Sequence, residues 1–329
     1  MRAVSFGGVL LSLLLRRSLG SSSFAASSFV KKPVTLITFD VDGTLVQGHS
    51  EGAQRSVHSR SFAHAVGKVY GNVSDWEVAV PSPPMLIPPV RYHGSTDGII
   101  ALNLAHYGFG ISPSDAMPQL QRVFREMTRF VEAHSDEEVA SGIEVLPGVL
   151  DTMRELASSR YKGRVLVGLV TGNVEAIARL KMRALGITQT NVFAPPASSQ
   201  TGGGGFLGGF GSCYCSGIID DPTHLWKDRG EQIKIAVERA RTLLAADEEL
   251  VRVVHVGDAP SDVLAAKFCA ESSTMGGLDV GMIAVATGRF SADELRALTS
   301  SPAPCWDPIV LEKGLAVPPA DFLSHCKIR

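Results

Sequence analysis

Two carboxylates one residue apart, Asp40 and Asp42, follow a short apolar run and precede Gly43. At the end of a β-strand such a pair can divide the work of a reaction. One carboxylate attacks as a nucleophile and holds a cation, while the other donates and later recovers a proton. Gly43 allows the chain to turn sharply after the pair. Taken alone, the pattern is equally compatible with a calcium-type loop or a helix N-cap.

A second segment with polar groups is Thr171-Gly172-Asn173, which follows another apolar run. It offers a hydroxyl and backbone N–H groups ahead of a helix, an environment that suits a phosphoryl oxygen. Thr and Asn are also ordinary helix caps, so the same residues are compatible with a structural role.

A third segment supplies two acids four residues apart, Asp258 and Asp262. Asp258 can ligate Mg²⁺ directly with Asp262 in support, because magnesium prefers a few carboxylates, water and substrate phosphate. Upstream, Arg229, Lys227 and Lys234 each offer a cation for phosphoryl charge, or else form a solvated helix start.

The elements that must position these groups alternate along the chain. Short β-branched runs alternate with amphipathic stretches, which predicts an α/β protein with a Rossmann-like parallel sheet covered by helices. In such sheets ligands bind at the carboxyl ends of the strands, where the three segments fall. The predicted strands are residues 34–39, 165–170, 251–256 and 282–286. The predicted helices begin at Pro147 and span 173–185 and 230–244, with a last one capped by Ser291 and Glu294.

More than a hundred residues separate the first two predicted strands, far more than a crossover needs. Apolar residues from Leu120 to Val131 recur at three- and four-residue spacing, and Phe62 to Tyr70 suggests a second helix. The proline-rich stretch 81–89 reads as a loop. We therefore expect a helical cap subdomain over residues 47–144, with residues 33–46 and 145–329 forming the core.

The amino-acid composition of the chain limits the classes of function that it can have. The 329 residues are 45% hydrophobic and 19% charged with a formal net charge of −2, which excludes a disordered chain and disfavours a nucleic-acid surface. Five sparse cysteines fit a reducing compartment and make a zinc site improbable. The nine histidines receive no chemical role, and the glycine-rich segment 202–211 is predicted to be a flexible loop.

Residues 1–32 have the composition of a leader. They contain no Asp or Glu, and arginine, lysine and serine recur, as in an organellar transit peptide for a mitochondrion or plastid. A secretory signal and a cytoplasmic protein with an N-terminal tail remain alternatives. The apolar run at 9–15 is too short to span a membrane, so no membrane partner is expected.

Taken together and in this order, the segments resemble the four motifs of the haloacid dehalogenase-like hydrolases. Gly94-Ser95-Thr96-Asp97, Thr171-Gly172-Asn173 and Phe210-Gly211-Ser212 are similar to its phosphoglycolate-phosphatase-like branch. The usual lysine of the third motif is absent. We expect Arg229 to replace it, because an Asp-Arg pair opens this helix in similar sequences. Lys227 and Lys234 remain the alternatives.

The resemblance implies specific roles. Asp40 would be the nucleophile that forms an aspartyl-phosphate, and Asp42 the general acid and base. Mg²⁺ would bind Asp40, the backbone carbonyl of Asp42, and Asp258, with Asp262 in support. The implied catalytic set is completed by Thr171 and Arg229, and the substrate-binding set is Gly43, Thr44, Thr171, Gly172 and Asn173.

The expected activity is therefore hydrolysis of a small phosphate monoester by a monomer or homodimer. Asp42 favours a phosphatase over a dehalogenase, because expelling an alkoxide requires a proton and expelling a halide does not. The alternatives are a phosphomutase or a phosphonate hydrolase, the latter with a Schiff-base role for Lys68, the only lysine of the predicted cap. A non-catalytic binding protein on the same fold is a further alternative.

Overall fold

The computed structural model describes residues 30–48, 56–71, 95–193, 206–219, 221, 224–299 and 306–328. Its contacts divide the chain into two units, Met1–Val30 and Lys31–Arg329, and the fold described below is that of the second. The predicted leader up to residue 29, the predicted loop 81–89 and residues 202–205 lie outside the described residues.

Within the described residues the chain forms eight strands and eleven α-helices. The strands are β1 (Lys32–Phe39), β2 (Val46–Gly48), β3 (Ile143–Val145), β4 (Val165–Thr171), β5 (Gly208–Phe210), β6 (Glu248–Gly257), β7 (Asp279–Val285) and β8 (Trp306–Leu311). The helices are α1 (Val57–Val66), α2 (Asp97–Phe109), α3 (Pro113–Ala116), α4 (Leu120–Glu132), α5 (Asp136–Ala140), α6 (Val149–Leu156), α7 (Glu175–Ala184), α8 (Leu225–Arg241), α9 (Pro260–Glu271), α10 (Ala292–Thr299) and α11 (Pro319–Cys326).

Six of the described strands form one parallel sheet in the order β5-β4-β1-β6-β7-β8. β1 lies between β4 and β6, so that Phe39 is level with Leu169 on one side and with Val256 on the other. The chain order reverses at β1, and its carboxyl end is where an open parallel sheet forms a ligand crevice. The predicted fold class, a Rossmann-like parallel sheet with a helical insertion, is confirmed.

Both faces of β1 are buried, which explains its nearly continuous apolar sequence. Ile37 and Phe39 pack into a core beneath α6, α7 and α11. Val34 and Leu36 point to the opposite face, into a core formed with α8, α9 and α10. Two hydrophobic layers therefore fix the strand, and the residue after Phe39 is held at the sheet edge.

The insertion begins and ends on a small antiparallel pair of strands. β2 pairs with β3, with Val46 opposite Val145 and Gly48 opposite Ile143. The predicted boundaries of the cap fall inside this stem. Between the two strands, α1, α2 and α4 pack together, and α4 buries the stripe of Leu120, Val123, Phe124, Met127 and Val131 that its spacing predicts.

The prediction of a flexible loop over residues 202–211 is wrong for its last part. Gly208–Phe210 forms the edge strand β5 and pairs with β4, with Phe210 level with Thr171. Phe210 is fully buried, which anchors the strand, and Gly208 allows close approach because a Cβ there would lie 2.0 Å from the carbonyl oxygen of Leu169. None of the described helices is long and apolar enough to cross a lipid bilayer.

Candidate active site

Asp40 is the first residue after β1 and is almost completely buried. Its Oδ1 accepts a hydrogen bond from the Val41 N–H at 2.7 Å. Burial raises the pKa of the Asp40 carboxyl from its ordinary 3.8 to about 6, although Arg229 opposes the shift and Asp262 adds to it. Asp40 is thus a buried carboxylate with a fixed orientation, as a nucleophile requires.

Arg229, on the first turns of α8, is the cation that reaches Asp40. Its Nη1 lies 3.2 Å from Asp40 Oδ1 and its Nη2 lies 3.3 Å from Oδ2, while Nη1 also donates to the carbonyl of Val170 at 3.0 Å. Nε lies 3.1 Å from Asp262 Oδ1. The guanidinium is 2% exposed and is held between two buried acids.

The two other candidates for the third motif point elsewhere. Lys227 is exposed, with its Nζ 2.7 Å from His224 Nε2. Lys234 pairs with Glu231 at 2.8 Å and lies over the ring of Phe268. The structure therefore places Arg229, and neither lysine, at the acidic cluster.

The Asp42 carboxylate points away from this cluster. Both of its oxygens lie 2.8 Å from Lys181 Nζ, and Oδ2 also accepts from Asn173 Nδ2 at 2.9 Å. Burial alone would raise the pKa of Asp42, but the charges of Lys181 and His58 and the hydrogen bonds outweigh it and lower the pKa to about 2. Lys181 is itself buried on α7, so this pair is shielded on the lysine side.

Thr171 ends β4 and lines the same cavity. Its Oγ1 accepts the N–H of Asn173 at 3.3 Å, which shapes the turn before α7. Gly172 must be glycine, because a Cβ there would lie 2.3 Å from the carbonyl oxygen of Ser95 in the insertion. Asp97 adds to this contact by donating its N–H to the Gly172 carbonyl at 2.8 Å.

Asp258, after β6, is surrounded closely by backbone. A Cβ on Gly43 would lie 2.2 Å from Asp258 Oδ2, and one on Gly288 would lie 1.8 Å from the same atom. Thr44, predicted to bind substrate, lies outside the lining of the cavity and instead donates its hydroxyl to Asp258 Oδ1 at 3.2 Å. Burial raises the pKa of Asp258 well above its ordinary value, and Asp40 and Asp262 raise it further.

Asp262 supports the cluster from α9. Its Oδ2 accepts the Ala259 N–H at 3.1 Å, and its Oδ1 lies 3.2 Å from His255 Nε2. The other nitrogen of that ring, Nδ1, lies 3.0 Å from Thr38 Oγ1. Burial would raise the pKa of Asp262, but Arg229 and then His255 outweigh it and lower the pKa. Asp262, His255 and Thr38 therefore form a buried chain of polar groups, and Asp262 at its end holds the guanidinium of Arg229 in place.

The residues fit a divalent cation. Asp40, Asp258 and Asp262 bring carboxylate oxygens within 4.8 Å of one another, and all three are buried. With one guanidinium among three carboxylates, two negative charges stay uncompensated, which is costly away from water. The hard oxygen donors suit magnesium or a similar ion. Of the predicted metal ligands, Asp40 and Asp258 bring their carboxylates to this cluster, whereas Asp42 is predicted to contribute its backbone carbonyl and its carboxylate pairs with Lys181.

These groups face one cavity of about 730 Å³ between the sheet edge and the insertion. Asp40, Asp42, Thr171 and Asp258, taken from four separate places in the sequence, all line it. So do the predicted residues Gly43, Gly172, Asn173 and Arg229. Lys68 is absent from this lining and pairs with Glu126 at 2.6 Å, which leaves it no access to a substrate there.

Three residues of the site were not predicted. Lys181 falls four residues after Ile177 on the buried stripe of α7, and a lysine at a buried position signals an anionic partner. His255 interrupts a strand of valines in the same way. His58, which lines the cavity beside Asp97, carries no comparable signal in the sequence.

The model of the haloacid dehalogenase-like hydrolase family matches residues 34–269, which is more than half of the chain. The chain belongs to this family. The match includes all of the cavity-lining acids described above, and it confirms the prediction that the chain is a hydrolytic enzyme. A search of curated proteins finds no match.

Several solved structures are similar to this chain. A β-phosphoglucomutase from Clostridium difficile is 10% identical, with a TM-score of 0.42, over 89% of this chain and 97% of that one. A family hydrolase from Deinococcus radiodurans R1 with bound phosphate and sodium is 18% identical, with a TM-score of 0.33, over 91% and 97%. A dehalogenase is 14% identical, with a TM-score of 0.33, over 84% and 92%.

Proposed function

We propose that this haloacid dehalogenase-like protein is a Mg²⁺-dependent phosphatase that hydrolyses a small, phosphoglycolate-like phosphate monoester through an aspartyl-phosphate on Asp40. One observation carries the proposal. Asp40 and Asp42 line the same cavity but have different partners, since Arg229 contacts Asp40 and Lys181 contacts Asp42. The two carboxylates therefore have separate partners, as two separate roles require, and the roles themselves are taken from their order in the family's first motif and not from their pKa shifts.

In the first step an oxygen of Asp40 attacks phosphorus, and the bond from phosphorus to the alcohol oxygen breaks. Asp42 gives its proton to the departing alcohol. Arg229 and the N–H groups after Thr171 face the charge on the phosphoryl oxygens, which is the main demand of this chemistry. Lys181 favours the ionised form of Asp42, so this step requires Lys181 to turn partly toward the phosphoryl group of the bound ester.

In the second step Asp42 takes a proton from water, the water oxygen attacks phosphorus, and Asp40 is released. The ion pair with Lys181 seen in the structure suits this step, because a base must be unprotonated. Asp40 and Asp258 would hold Mg²⁺, which when bound supplies further positive charge beside the phosphoryl oxygens. Asp262, which is ion-paired with Arg229 and hydrogen-bonded to His255 and the Ala259 N–H, supports them.

The proposal is tested by release of inorganic phosphate from p-nitrophenyl phosphate and from a panel of phosphorylated metabolites. We expect turnover that requires Mg²⁺ and is abolished in Asp40→Asn, and mass spectrometry of quenched protein should find phosphate on Asp40. Asp151→Asn is the matched control, because Asp151 is an exposed acid that pairs with Arg154 and does not line the cavity. Absence of turnover with every ester would overturn the proposal, and isomerisation of a sugar phosphate without phosphate release would favour a phosphomutase.

We also propose that residues 1–32 direct the enzyme to a mitochondrion or plastid. The support is compositional, since this segment has no acidic residue and five of its residues are arginine or lysine. A fusion of these residues to a fluorescent protein should enter an organelle. A diffuse cytoplasmic signal, or entry into the secretory pathway, would contradict the assignment.

A further inference from the structure

One imidazole in the cavity has no part in the proposed reaction. His58 lies on the first turn of α1, and its side chain is 15% exposed. Its Nε2 lies 3.1 Å from Oδ2 of Asp97, and its ring packs on Phe62 with the centroids 5.2 Å apart. The ring is therefore held by an acid on one side and by an aromatic side chain on the other.

Asp97 is well placed to orient this ring, because it is fixed by the core. Its Oδ2 accepts the N–H of Val174 at 2.7 Å, and its own N–H donates to the carbonyl of Gly172 at 2.8 Å. Asp97 is 2% exposed and begins α2, which is capped by the Thr96 side chain. Asp97 is therefore held by hydrogen bonds to the loop that follows Thr171.

The contact with Asp97 determines what His58 offers to a ligand. A carboxylate only accepts hydrogen bonds, so Nε2 carries the hydrogen and Nδ1 is the nitrogen left over. No residue in the described part of the chain forms a hydrogen bond with Nδ1. An imidazole oriented by an acid, with one nitrogen unengaged, is a common arrangement for a residue that contacts substrate.

The position of His58 relative to the two catalytic acids indicates which part of the substrate it meets. His58 contacts Asp97, Asp97 accepts the N–H of Val174, and the preceding residue, Asn173, donates to the Asp42 carboxylate. His58 therefore lies on the side of the cavity where Asp42 meets the departing alcohol. The lining of the cavity also includes the apolar side chains of Phe62, Ile100 and Leu104 from the insertion, and Ser56 and Ser59 beside His58 in sequence.

We propose that the His58–Asp97 pair binds an oxygen substituent on the alcohol portion of the phosphate ester, which makes His58 a specificity-determining residue. The proposal rests on the phosphatase function above. A carboxylate substituent would accept a hydrogen bond from Nδ1–H of the imidazolium, whose charge Asp97 balances. A hydroxyl substituent would donate to the lone pair of Nδ1 in the neutral ring. Both share the same chemistry, an oxygen placed within reach of Nδ1.

The test compares three esters that differ only in this substituent: ethyl phosphate, 2-hydroxyethyl phosphate and phosphoglycolate. We expect wild-type kcat/KM to be about 10- to 100-fold higher for at least one oxygen-bearing ester than for ethyl phosphate, the range for a hydrogen bond to a charged group. His58→Phe should bring the ratio of kcat/KM for the preferred oxygen-bearing ester to kcat/KM for ethyl phosphate close to one, and this ratio is the readout because it is independent of a common change in the absolute rates. Which ester is preferred distinguishes a carboxylate from a hydroxyl substituent.

Two further variants serve as controls for a loss of folding and for a nonspecific effect of replacing a histidine. His58→Gln keeps a hydrogen-bonding group of similar reach and should retain part of the preference, also if the phenylalanine variant fails to fold. His134→Gln is the control, because His134 bonds the Phe130 carbonyl at the end of α4 and does not line the cavity. It should behave as wild type with all three esters.

Binding to Asp40→Asn protein separates this inference from the proposed function. Calorimetric titration with phosphoglycolate, 2-hydroxyethyl phosphate and ethyl phosphate gives the same comparison without turnover. If wild-type protein turns over no ester, the phosphatase proposal fails on its own. If the three ligands bind equally, or if the preference survives in His58→Phe, the specificity role of His58 is overturned.

Discussion

Arg229 contacts both carboxylate oxygens of Asp40, with Nη1 and Nη2 at 3.2 and 3.3 Å, from a side chain that is almost completely buried. Its planar guanidinium presents two parallel donors, so it fixes the plane of the carboxylate as well as its position. A lysine would supply the charge without this orientation. In this chain, the direction from which Asp40 can attack is therefore set by α8.

Replacing this guanidinium should destabilise the protein. Arg229→Met leaves Asp40 and Asp262 buried without their counter-charge, and we expect the free energy of unfolding to fall by about 3–5 kcal/mol. Urea denaturation without added metal measures this change in the free energy of unfolding. Lys227→Met, two residues away on α8 but exposed, should change the value by less than about 0.5 kcal/mol. Equal stability of the two variants would show that Arg229 is not the required counter-ion.

Loss of the Asp42 carboxylate should affect proton transfer and not metal binding. In Asp42→Asn we expect turnover of phosphoglycolate to fall by a factor on the order of 10²–10⁴. The first burst of p-nitrophenolate should be less affected, because this group leaves without a proton. Mg²⁺ affinity, measured by calorimetry, should stay near the wild-type value, since the carboxylate points to Lys181. Unchanged turnover would remove Asp42 from its role.

Lys181 should control the acidic limb of the pH–rate profile. Its charge and hydrogen bonds lower the pKa of Asp42 to about 2, so Asp42 remains a base far into the acid range. In Lys181→Met that pKa rises toward or above its ordinary value, and kcat should begin to fall at a higher pH than in wild type. Arg179→Met, an exposed change on the same helix, should leave the profile in place. A profile unchanged by Lys181→Met would contradict the pairing.

Mg²⁺ should stabilise the fold more at neutral than at acid pH. The folded pKa of Asp40 is raised from 3.8 to about 6, and that of Asp258 is also raised. Both carboxyls therefore favour the folded state when protonated; the contribution of Asp40 is lost as pH rises from about 4 through about 6, and that of Asp258 is lost as pH rises through its own raised pKa. A bound divalent cation supplies positive charge in place of the lost protons. The increase in the melting temperature of the protein on adding Mg²⁺ should therefore be larger at about pH 7.5 than at about pH 4.5.

Asp258→Asn is the matched variant for this measurement. Removing one uncompensated charge should make the metal-free protein more stable at about pH 7.5, and most of the gain from Mg²⁺ should disappear. Thermal melting with and without the ion gives both values. A gain of equal size at both pH values in wild type would argue against a cation site among these acids.

The central strands of the sheet were predictable from sequence, whereas its edges were not. β1, β4, β6 and β7 are mostly apolar and become fully buried toward their carboxyl ends, which sets them apart from the helices. β5 has three residues, two of them glycine, and so lacks the periodicity on which such predictions depend. In the insertion, α2 was missed because it is buried on nearly every side and has no polar face.

Asp40, Thr171 and Asp258 were predictable as site residues because each lies at the carboxyl end of a strand in one parallel sheet, and that topology brings them together. Their partners depend on helix register and on the insertion. Lys181 lies 139 residues from Asp42 in sequence, and His58 lies 39 residues from Asp97. Such contacts follow from how α1, α2 and α7 pack, which a local pattern does not contain.

The composition of the two edge strands has a consequence for the chain in a crowded cell. An open sheet ends in backbone groups that can template pairing with another molecule and so begin aggregation. Here one edge, β5, is only three residues long, and the other, β8, contains Pro308, which has no N–H to donate. Neither edge strand offers a long run of backbone N–H groups for pairing. We therefore expect edge-to-edge pairing between newly made copies of the chain to be disfavoured.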